Sequence, residues 1–310
     1  MKTINRRSFL KGSLLSAAAL SFPVQRSESA VSAAGRAGPG PGIIDTNVHL
    51  GAWPTRRLKY GETKALVAKL RKHRVEQAWA GSFEGLLHKN MLEVNERLVA
   101  ECRTNGDGML VPFGSVNPVW PDWEEDLRLC HEVHKMRGIR LHPTYQNYTL
   151  ERPDVPRLLR MAAERGLIVQ ITTFMEDPRV HHSNLLAPEM NLDPLANLLM
   201  GIPNAKVQLL HAFRSGSGPN NRQGLIESTN VSFDISNLES NGGVHRMIEG
   251  RPWEGRGRPV PLPVERILFG SHALYMPFEN ALLKLFESPI TTAQFDAIAR
   301  NNARRLLGRT

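Results

Sequence analysis

The sequence predicts an α/β fold, a (β/α)8 TIM barrel of parallel strands that covers residues 43–310. Strand-sized apolar runs alternate with helix-sized amphipathic segments along this stretch, and strands that alternate with helices pair in parallel. The strands number eight, which is the number that closes such a barrel. The structural alternative is a doubly wound open sheet. It ranks second because no glycine-rich phosphate turn follows the first strand.

The first strand is the run from Ile43 to Leu50, which follows a loose Gly/Pro tract. Successive side chains of a strand point to opposite faces, so Asp45, Asn47 and His49 share one face. Three polar groups at the end of a buried strand indicate a functional site. The other strands are expected at residues 77–83, 109–116, 138–143, 167–173, 206–211, 231–236 and 266–271.

Helices are expected between the strands wherever apolar residues recur with a helical period. In the segment after the fourth strand, Asp154 is the expected N-cap and Gly166 the expected stop. The last helix opens at Thr291 with capping-box spacing and ends at Gly308. The remaining periodic segments are residues 62–73, 92–103, 122–136 and 192–200.

Residues 1–34 are predicted to be an export signal, and residues 35–42 a linker. The segment Asn5-Arg6-Arg7-Ser8-Phe9-Leu10-Lys11 resembles a twin-arginine signal, and the apolar run that follows is too short for a permanent membrane anchor. The expected partner is the twin-arginine export machinery, and the expected location is periplasmic or extracellular. A disordered basic tail is the alternative.

The charge of the chain argues against nucleic acid as a partner. Residues 1–34 carry five positive side chains and one carboxylate, so their removal lowers the net charge from +9 to +5. The remaining Arg and Lys residues are scattered among acidic neighbours instead of forming a basic stripe. Cys102 and Cys130 fall in separate amphipathic patterns and are expected to be buried apolar residues. Apolar helices near Trp120 and Trp123 favour a homodimer.

Polar side chains follow nearly every predicted strand, where (β/α)8 barrels carry their reactive groups. They are Asn47 and His49, Ser115 and Asn117, Arg140 and His142, Thr172 and Thr173, His211, Asp234 and Ser236, and Ser271 and His272. Four histidines should therefore converge on one rim of the barrel. The sequence predicts a functional site there.

Five segments, in this order along the chain, resemble the amidohydrolase-related family, the branch of the amidohydrolase superfamily that includes aminocarboxymuconate-semialdehyde decarboxylase and a pyrone dicarboxylate lactonase. They are Ile44-Asp45-Thr46-Asn47-Val48-His49, Gly138-Ile139-Arg140-Leu141-His142-Pro143, Val207-Gln208-Leu209-Leu210-His211-Ala212, Arg266-Ile267-Leu268-Phe269-Gly270-Ser271-His272 and Asn302-Ala303-Arg304-Arg305-Leu306-Leu307-Gly308. The resemblance implies a hydrolase or C–C lyase that acts on a small molecule bearing a carboxylate or lactone.

The resemblance also implies where a metal would bind. Metal-dependent members carry His-x-His on the first strand, a His on the fifth, a His on the sixth and an Asp on the eighth. Those positions hold Asn47, His49, Thr172 or Thr173, His211 and His272 here. Only His49 and His211 match, whereas a divalent metal needs about three or four ligands.

Three hypotheses remain open. In the first, His49, His211 and His272, with or without His142, hold one divalent metal, zinc or manganese, that activates a water. In the second there is no metal: His272 or His211 acts as general base, while Arg140 and His49 stabilise an oxyanion or bind a carboxylate. In the third, the barrel has lost catalysis and only binds a small ligand.

The residues predicted to be catalytic are His211, His272 and Arg140, and those predicted to contact substrate are Asn47, His142, Thr172, Asp234 and His182. Structural explanations stay open for several of them. Arg140 could form an ion pair with Asp234 or Asp45 inside the barrel. Asp234 could cap a loop, His142 could merely end its strand, and His182 could face solvent.

Overall fold

The computed structural model describes residues 42–213, 222–238, 241–251 and 259–308. The predicted export signal at residues 1–34 and the linker at residues 35–42, apart from Gly42, lie outside the described residues. Export therefore stays a prediction from the sequence.

The strands follow one another around a barrel in chain order, and every neighbouring pair is parallel. They are β1 (Ile43–Leu50), β2 (Val75–Ser82), β3 (Leu110–Pro112), β4 (Gly114–Ser115), β5 (Gly138–Leu141), β6 (Ile168–Thr172), β7 (Lys206–Leu210), β8 (Ser232–Asp234) and β9 (Ile267–Leu268). β3 and β4 share one barrel position. They are separated only by Phe113, whose N–H donates to the Ala80 carbonyl at 2.8 Å.

The barrel closes between β1 and the segment that follows β9. The Thr46 N–H donates to the Phe269 carbonyl at 2.9 Å, and the His272 N–H donates to the Asn47 carbonyl at 2.9 Å. The pairing continues through Val48 and Ala273. The prediction of a (β/α)8 barrel of parallel strands is therefore confirmed, although β9 is shorter than the predicted strand at residues 266–271.

Most of the helices lie between strands, the last three follow β9, and the longer helices bury one apolar face. In the helix after β5, the buried residues are Val155, Leu158, Leu159 and Ala162, which recur at helical spacing. The helices are α1 (Thr63–Lys72), α2 (Met91–Asn105), α3 (Trp123–Glu132), α4 (Asp154–Glu164), α5 (Asp193–Met200), α6 (Gln223–Ser228), α7 (Gly243–Glu249), α8 (Phe278–Glu287), α9 (Thr292–Asp296) and α10 (Asn302–Leu306). None of the helices in the described ranges is long and apolar enough to cross a membrane.

The predicted helix ends are confirmed in three of four cases. The capping box at Thr291 is present, and Gly166 and Gly308 follow the ends of α4 and α10 with left-handed backbones, φ +66° and +72°. Asp154 is not the N-cap, because Pro153 takes that position and Asp154 is the first helical residue. The Asp154 carboxylate instead forms an ion pair with Arg152 at 2.9 Å.

The side chains expected to be apolar are buried. Cys102 and Cys130 are free thiols inside the core, and burial raises the pKa of each to about 12. Trp123 also packs into the core, so it offers little surface to a second subunit. The homodimer stays a prediction.

Candidate active site

Four histidines meet inside the barrel mouth at the carboxyl ends of the strands. The rings of His211 and His272 lie 4.0 Å apart between centroids, and His49 lies 5.1 Å from His272. His142 follows β5, and all four side chains are buried. The convergence expected from the sequence is thus present in the structure.

Local backbone geometry places two of these rings. His211 and His272 each follow a strand and adopt a left-handed backbone, with φ values of +61° and +57°. Residues other than glycine rarely adopt this backbone conformation, and it turns the chain sharply at both positions. The turn directs both imidazoles toward the barrel axis, where they meet.

Arg140 crosses the barrel interior from β5 and reaches β1 on the other side. Its Nη1 donates to the Val48 carbonyl at 3.1 Å and to His49 Nε2 at 2.8 Å. A guanidinium can only donate, so His49 Nε2 must accept and the proton of His49 lies on Nδ1. His49 Nδ1 is buried and has no hydrogen-bond partner in the described part of the chain. The imidazole therefore presents an unpaired N–H to the site.

In the part of the chain that the structure describes, the buried guanidinium forms no direct ion pair with a carboxylate, although Asp234 and Asp45 favour its charged form from farther away. The two ion pairs considered for Arg140, with Asp234 and with Asp45, are not formed, and within the described ranges no carboxylate oxygen lies within 4.0 Å of it. Its Nη2 instead donates to the Trp79 carbonyl at 3.4 Å. Burial lowers the pKa of Arg140 to about 9, so the side chain still carries its charge at neutral pH.

Gly81 on β2 leaves the space that the guanidinium fills. A Cβ at this position would lie 2.6 Å from Arg140 Nη1 and 2.8 Å from its Cζ. Real Cβ atoms essentially never approach another heavy atom so closely. Glycine is therefore required at position 81 while Arg140 keeps this place.

A chain of buried amides supports Arg140 from behind. Its Nε donates to Gln170 Oε1 at 2.9 Å, and Gln170 Nε2 donates to Gln208 Oε1 at 2.8 Å. Gln208 Nε2 in turn donates to the Thr46 hydroxyl at 2.7 Å. Neither glutamine was predicted from the sequence to belong to the site. The signal was a single polar residue in the middle of an otherwise apolar strand, as in Ile168–Thr172.

Asp234 organises the second half of the site. Its carboxylate accepts hydrogen bonds from Asn47 Nδ2 at 2.6 Å, from the His211 backbone N–H at 2.9 Å and from the Ser236 hydroxyl at 2.9 Å. Because Ser236 donates to Asp234, it accepts from His211 Nδ1, 2.8 Å away. The bare Nε2 of His211 then faces the Asn47 amide at 3.3 Å. Asp234 is thus a positioning residue.

His272 is the least constrained polar group of the site. Neither of its ring nitrogens has a hydrogen-bond partner among the described residues, although the side chain is fully buried. The ring is held by stacking on Tyr275, with centroids 4.7 Å apart and planes 10° from parallel. Both nitrogens are therefore free to exchange a proton with a bound molecule.

Aromatic rings form a wall around the mouth of the barrel. Phe83 stacks on His49 at 4.4 Å, and Trp53 contacts Phe83 at 5.1 Å. Trp53 also contacts Tyr275 at 4.8 Å, and Tyr275 stacks on His272. This aromatic wall, formed by Phe83, Trp53 and Tyr275 with the two imidazoles, favours a flat apolar ligand.

Glu176 lies at the edge of the aromatic wall. Its Oε1 accepts the Tyr275 hydroxyl at 2.9 Å and forms an ion pair with Arg56 at 3.2 Å. Oε2 is buried without a hydrogen-bond partner in the described part of the structure. A buried carboxylate oxygen without a partner costs about 1–3 kcal/mol or more, so it is a strong potential acceptor for a ligand.

Burial keeps the imidazoles neutral. It lowers the pKa of His49, His211 and His272 well below 6.5, and the charge of Arg140 acts in the same direction. For His142, burial followed by Arg140 lowers the pKa to about 3. The site at neutral pH therefore contains four neutral imidazoles beside one fixed guanidinium.

Burial shifts the pKa values of the Asp45 and Asp234 carboxyl groups in the opposite direction. Burial raises the pKa of Asp45 to about 7, against the hydrogen bonds from Ser271 and the Asn47 N–H. Burial also raises the pKa of Asp234 above its ordinary value. Asp45 joins β1 to the segment after β9 through Ser271, so it contributes to barrel closure.

The remaining predicted site residues are placed differently. His142 Nδ1 lies 3.3 Å from the Thr172 hydroxyl, which donates to the Leu141 carbonyl, and His142 Nε2 has no partner in the described ranges. His182 is exposed, and its Nδ1 accepts the Asn184 N–H at 3.2 Å. The structure thus places His142 and Thr172 at the rim. His182 faces solvent, which is the structural explanation that the sequence left open for it.

The donor set, as it is arranged, does not fit a divalent metal. His49 Nε2 already accepts from Arg140, and Asn47 presents an amide that donates to Asp234. Across the residues that the structure describes, no group of three or more His, Cys, Asp or Glu side chains could hold a metal ion. A guanidinium 2.8 Å from a would-be ligand atom also repels a second cation.

The chain is similar in fold to solved structures that are distant from it in sequence. A 2,6-dihydroxybenzoate decarboxylase from Rhizobium is 15% identical with a TM-score of 0.65, covering 87% of this chain and 99% of its own. A dihydroxybenzoic acid decarboxylase from Polaromonas sp. JS666, with bound manganese and the inhibitor 2-nitroresorcinol, is 12% identical with a TM-score of 0.66, covering 87% and 97%. A 5-carboxyvanillate decarboxylase from Sphingomonas paucimobilis is 13% identical with a TM-score of 0.64, covering 87% and 100%. These similarities support the fold.

The family is established by sequence. A search of curated proteins found no match to the chain. The amidohydrolase family model, in contrast, matches residues 41–228, more than half of the sequence, including β1 with His49 and β7 with His211. The barrel, the order of the strand-end motifs and this match lead to one conclusion: the chain belongs to the amidohydrolase family.

Proposed function

We propose that this protein is a C–C lyase that removes a carboxylate from a small, flat ring compound by histidine acid–base chemistry. The observation that carries the proposal is His272, whose two ring nitrogens are buried and unpartnered beside the aromatic wall. A proton donor next to a flat apolar surface is what protonation of a ring carbon requires.

The anionic end of the substrate is assigned to His49. Its Nδ1–H is unpaired, and the contact of its Nε2 with Arg140 strengthens it as a donor. A carboxylate bound there would be attracted by the fixed positive charge of Arg140, which forms no direct ion pair within the described residues. It would also raise the lowered pKa of His272, because a nearby anion favours the protonated imidazole.

The opposite end of the substrate is assigned to Glu176. Its free Oε2 suits a hydroxyl or amino group, which can donate a hydrogen bond. Acceptance of that hydrogen bond increases the electron density of the ring. The neighbouring decarboxylases of dihydroxybenzoate and 5-carboxyvanillate act, by their names, on ring carboxylates of this kind.

The reaction balances without a further reactant. Protonated His272 gives its proton to the ring carbon that carries the carboxylate, the C–C bond to the carboxylate then breaks, and its electron pair stays with the ring. The products are carbon dioxide and the ring with hydrogen in place of the carboxylate. His272 is returned to its protonated form by solvent.

Burial favours the lyase over a hydrolase. Among the four histidines, none exposes more than 1% of its surface, so bulk water is excluded from the reacting atoms. Loss of carbon dioxide needs no water, and a carboxylate is destabilised when it leaves water for an apolar site. Hydrolysis of a lactone would need a water admitted beside His211 Nε2 and is the second candidate.

The test is a panel of hydroxybenzoates, aminobenzoates and carboxylated lactones, incubated with the mature protein and followed by carbon dioxide release and product chromatography. His272→Gln should lower the rate of decarboxylation by about 10²- to 10⁴-fold. The matched control His134→Gln, whose side chain lies after α3 at the other end of the barrel, should leave it unchanged.

The outcomes separate the alternatives. Equal decarboxylation by the parent and His272→Gln would refute the assignment of the proton donor. Lactone opening without carbon dioxide would support the hydrolase. Thermal stabilisation by a panel member without any turnover would support a barrel that only binds its ligand.

A further inference from the structure

We propose that Arg140 is a built-in cation that takes the place of a divalent metal in this barrel, and that Gly81 makes its position possible. The site would then work without a metal cofactor. This inference concerns the resident charge of the site and does not depend on which reaction the protein catalyses.

Arg140 is in direct contact with His49. The Nε2 lone pair of His49 accepts Arg140 Nη1 at 2.8 Å. One lone pair cannot accept a hydrogen bond and bind a metal ion at the same time. The histidine that matches the ligand position of metal-dependent relatives is therefore occupied by a side chain of the same protein.

Hydrogen bonds hold the guanidinium of Arg140 in a fixed position. Three of its nitrogens donate to acceptors on three different strands: Gln170 Oε1, the Val48 carbonyl and the Trp79 carbonyl. Gly81 supplies the space, because a Cβ there would lie 2.6 Å from Nη1. A cation held by the interior of the barrel is a permanent part of the site, unlike a surface arginine that swings into it.

Within the described ranges, Arg140 has no direct ion-pair partner, although the more distant Asp234 and Asp45 favour its charged form. In the described residues no carboxylate oxygen lies within 4.0 Å of the guanidinium, and Asp234 directs its oxygens to Asn47, His211 and Ser236 instead. A buried positive charge without a direct ion-pair partner repels a second cation and attracts an anion. Arg140 can therefore supply electrostatic attraction for a substrate anion without a metal.

The test measures metal binding, which needs no turnover. Tag-free mature protein, expressed without residues 1–34 and dialysed against EDTA, is titrated with Mn²⁺ and with Zn²⁺ by calorimetry and analysed for metal content. The parent should contain far less than one equivalent and bind neither ion at a single site. One tightly bound equivalent that disappears in His49→Ala would overturn the proposal.

Removal of the cation should create affinity. Arg140→Met frees His49 Nε2 beside His211 and His272, and it should bind Zn²⁺ about tenfold or more tightly than the parent. The matched control Arg137→Met, on the same segment but outside the site, should bind as the parent does. Folding of each variant is checked by circular dichroism. A folded Arg140→Met protein without increased Zn²⁺ affinity would overturn the proposal, and if that variant does not fold, the metal content of the parent decides.

Discussion

Gly81→Ala is the sharpest test of how the buried guanidinium is held. The added Cβ would lie 2.6 Å from Arg140 Nη1, whereas ordinary contacts begin at 3.4 Å, so the guanidinium must retreat. Retreat lengthens its hydrogen bonds to His49 Nε2 and the Val48 carbonyl, now 2.8 and 3.1 Å. A hydrogen bond to a charged group is worth about 1.5–3 kcal/mol, and alanine recovers about 0.5–1 kcal/mol of backbone entropy. We therefore expect the free energy of unfolding to fall by about 3 kcal/mol.

The assay is thermal unfolding followed by circular dichroism. For a domain of this size, about 3 kcal/mol corresponds to a decrease in Tm of roughly 6–12 °C. The matched control is Gly224→Ala on α6, where an added Cβ meets no atom within 4 Å, and it should leave Tm unchanged or raise it slightly. If Gly81→Ala lowers Tm no more than Gly224→Ala does, Arg140 is not held against β2, and the account of the site is wrong.

Three further predictions concern the groups around the guanidinium. The four site histidines are kept neutral by folding, so the free energy of unfolding should fall as the pH drops below 6.5. Asp45 opposes this fall, because its pKa is raised to about 7 and folding favours its protonated form. Asp45→Asn should therefore make the free energy of unfolding, measured by urea titration, fall more steeply between pH 7 and 5, by about 1 kcal/mol per pH unit. Ser236→Ala removes the acceptor that fixes the proton of His211 on Nδ1. It should lower the free energy of unfolding by about 1–3 kcal/mol, and an unchanged value would contradict the hydrogen bond between Ser236 and His211. Tyr275→Phe keeps the stacked ring but removes the hydroxyl that donates to Glu176 Oε1. KM of the substrate found in the panel should change severalfold while Tm changes little. A large change in Tm with an unchanged KM would assign Tyr275 a structural role.

Much of the barrel could be predicted because its signals are local. Strand and helix periods alternate through the chain, and Thr291 and Gly166 mark helix ends by chemistry that acts within four residues. Asp154 failed as an N-cap because Pro153 already has helical backbone angles, φ −57° and ψ −28°, so the chain turns into the helix one residue earlier than the pattern indicates. Local sequence patterns therefore predict which helices and strands form better than they predict the residue at which each one begins or ends.

The site was only partly predictable because its key contacts are not local. The strand ends located the four histidines and Arg140, but the direction of the guanidinium across the barrel to His49, 91 residues away in sequence, depends on the packing of four strands. Gly81 matters only once that direction is known. Trp53 and Tyr275 lie in irregular segments whose path no period determines, so the aromatic wall could not be foreseen.

The left-handed backbone of His211 and His272 places a limit on engineering this barrel for heat resistance. Each of these residues gives up about 1 kcal/mol or more to keep an imidazole in a conformation that suits glycine or asparagine. Glycine at either position would release this strain but leave a cavity in place of the buried imidazole, and at position 211 it would also delete the hydrogen bond to Ser236. The strain cannot be removed without losing the ring, so stabilising substitutions in this barrel are better sought at other positions.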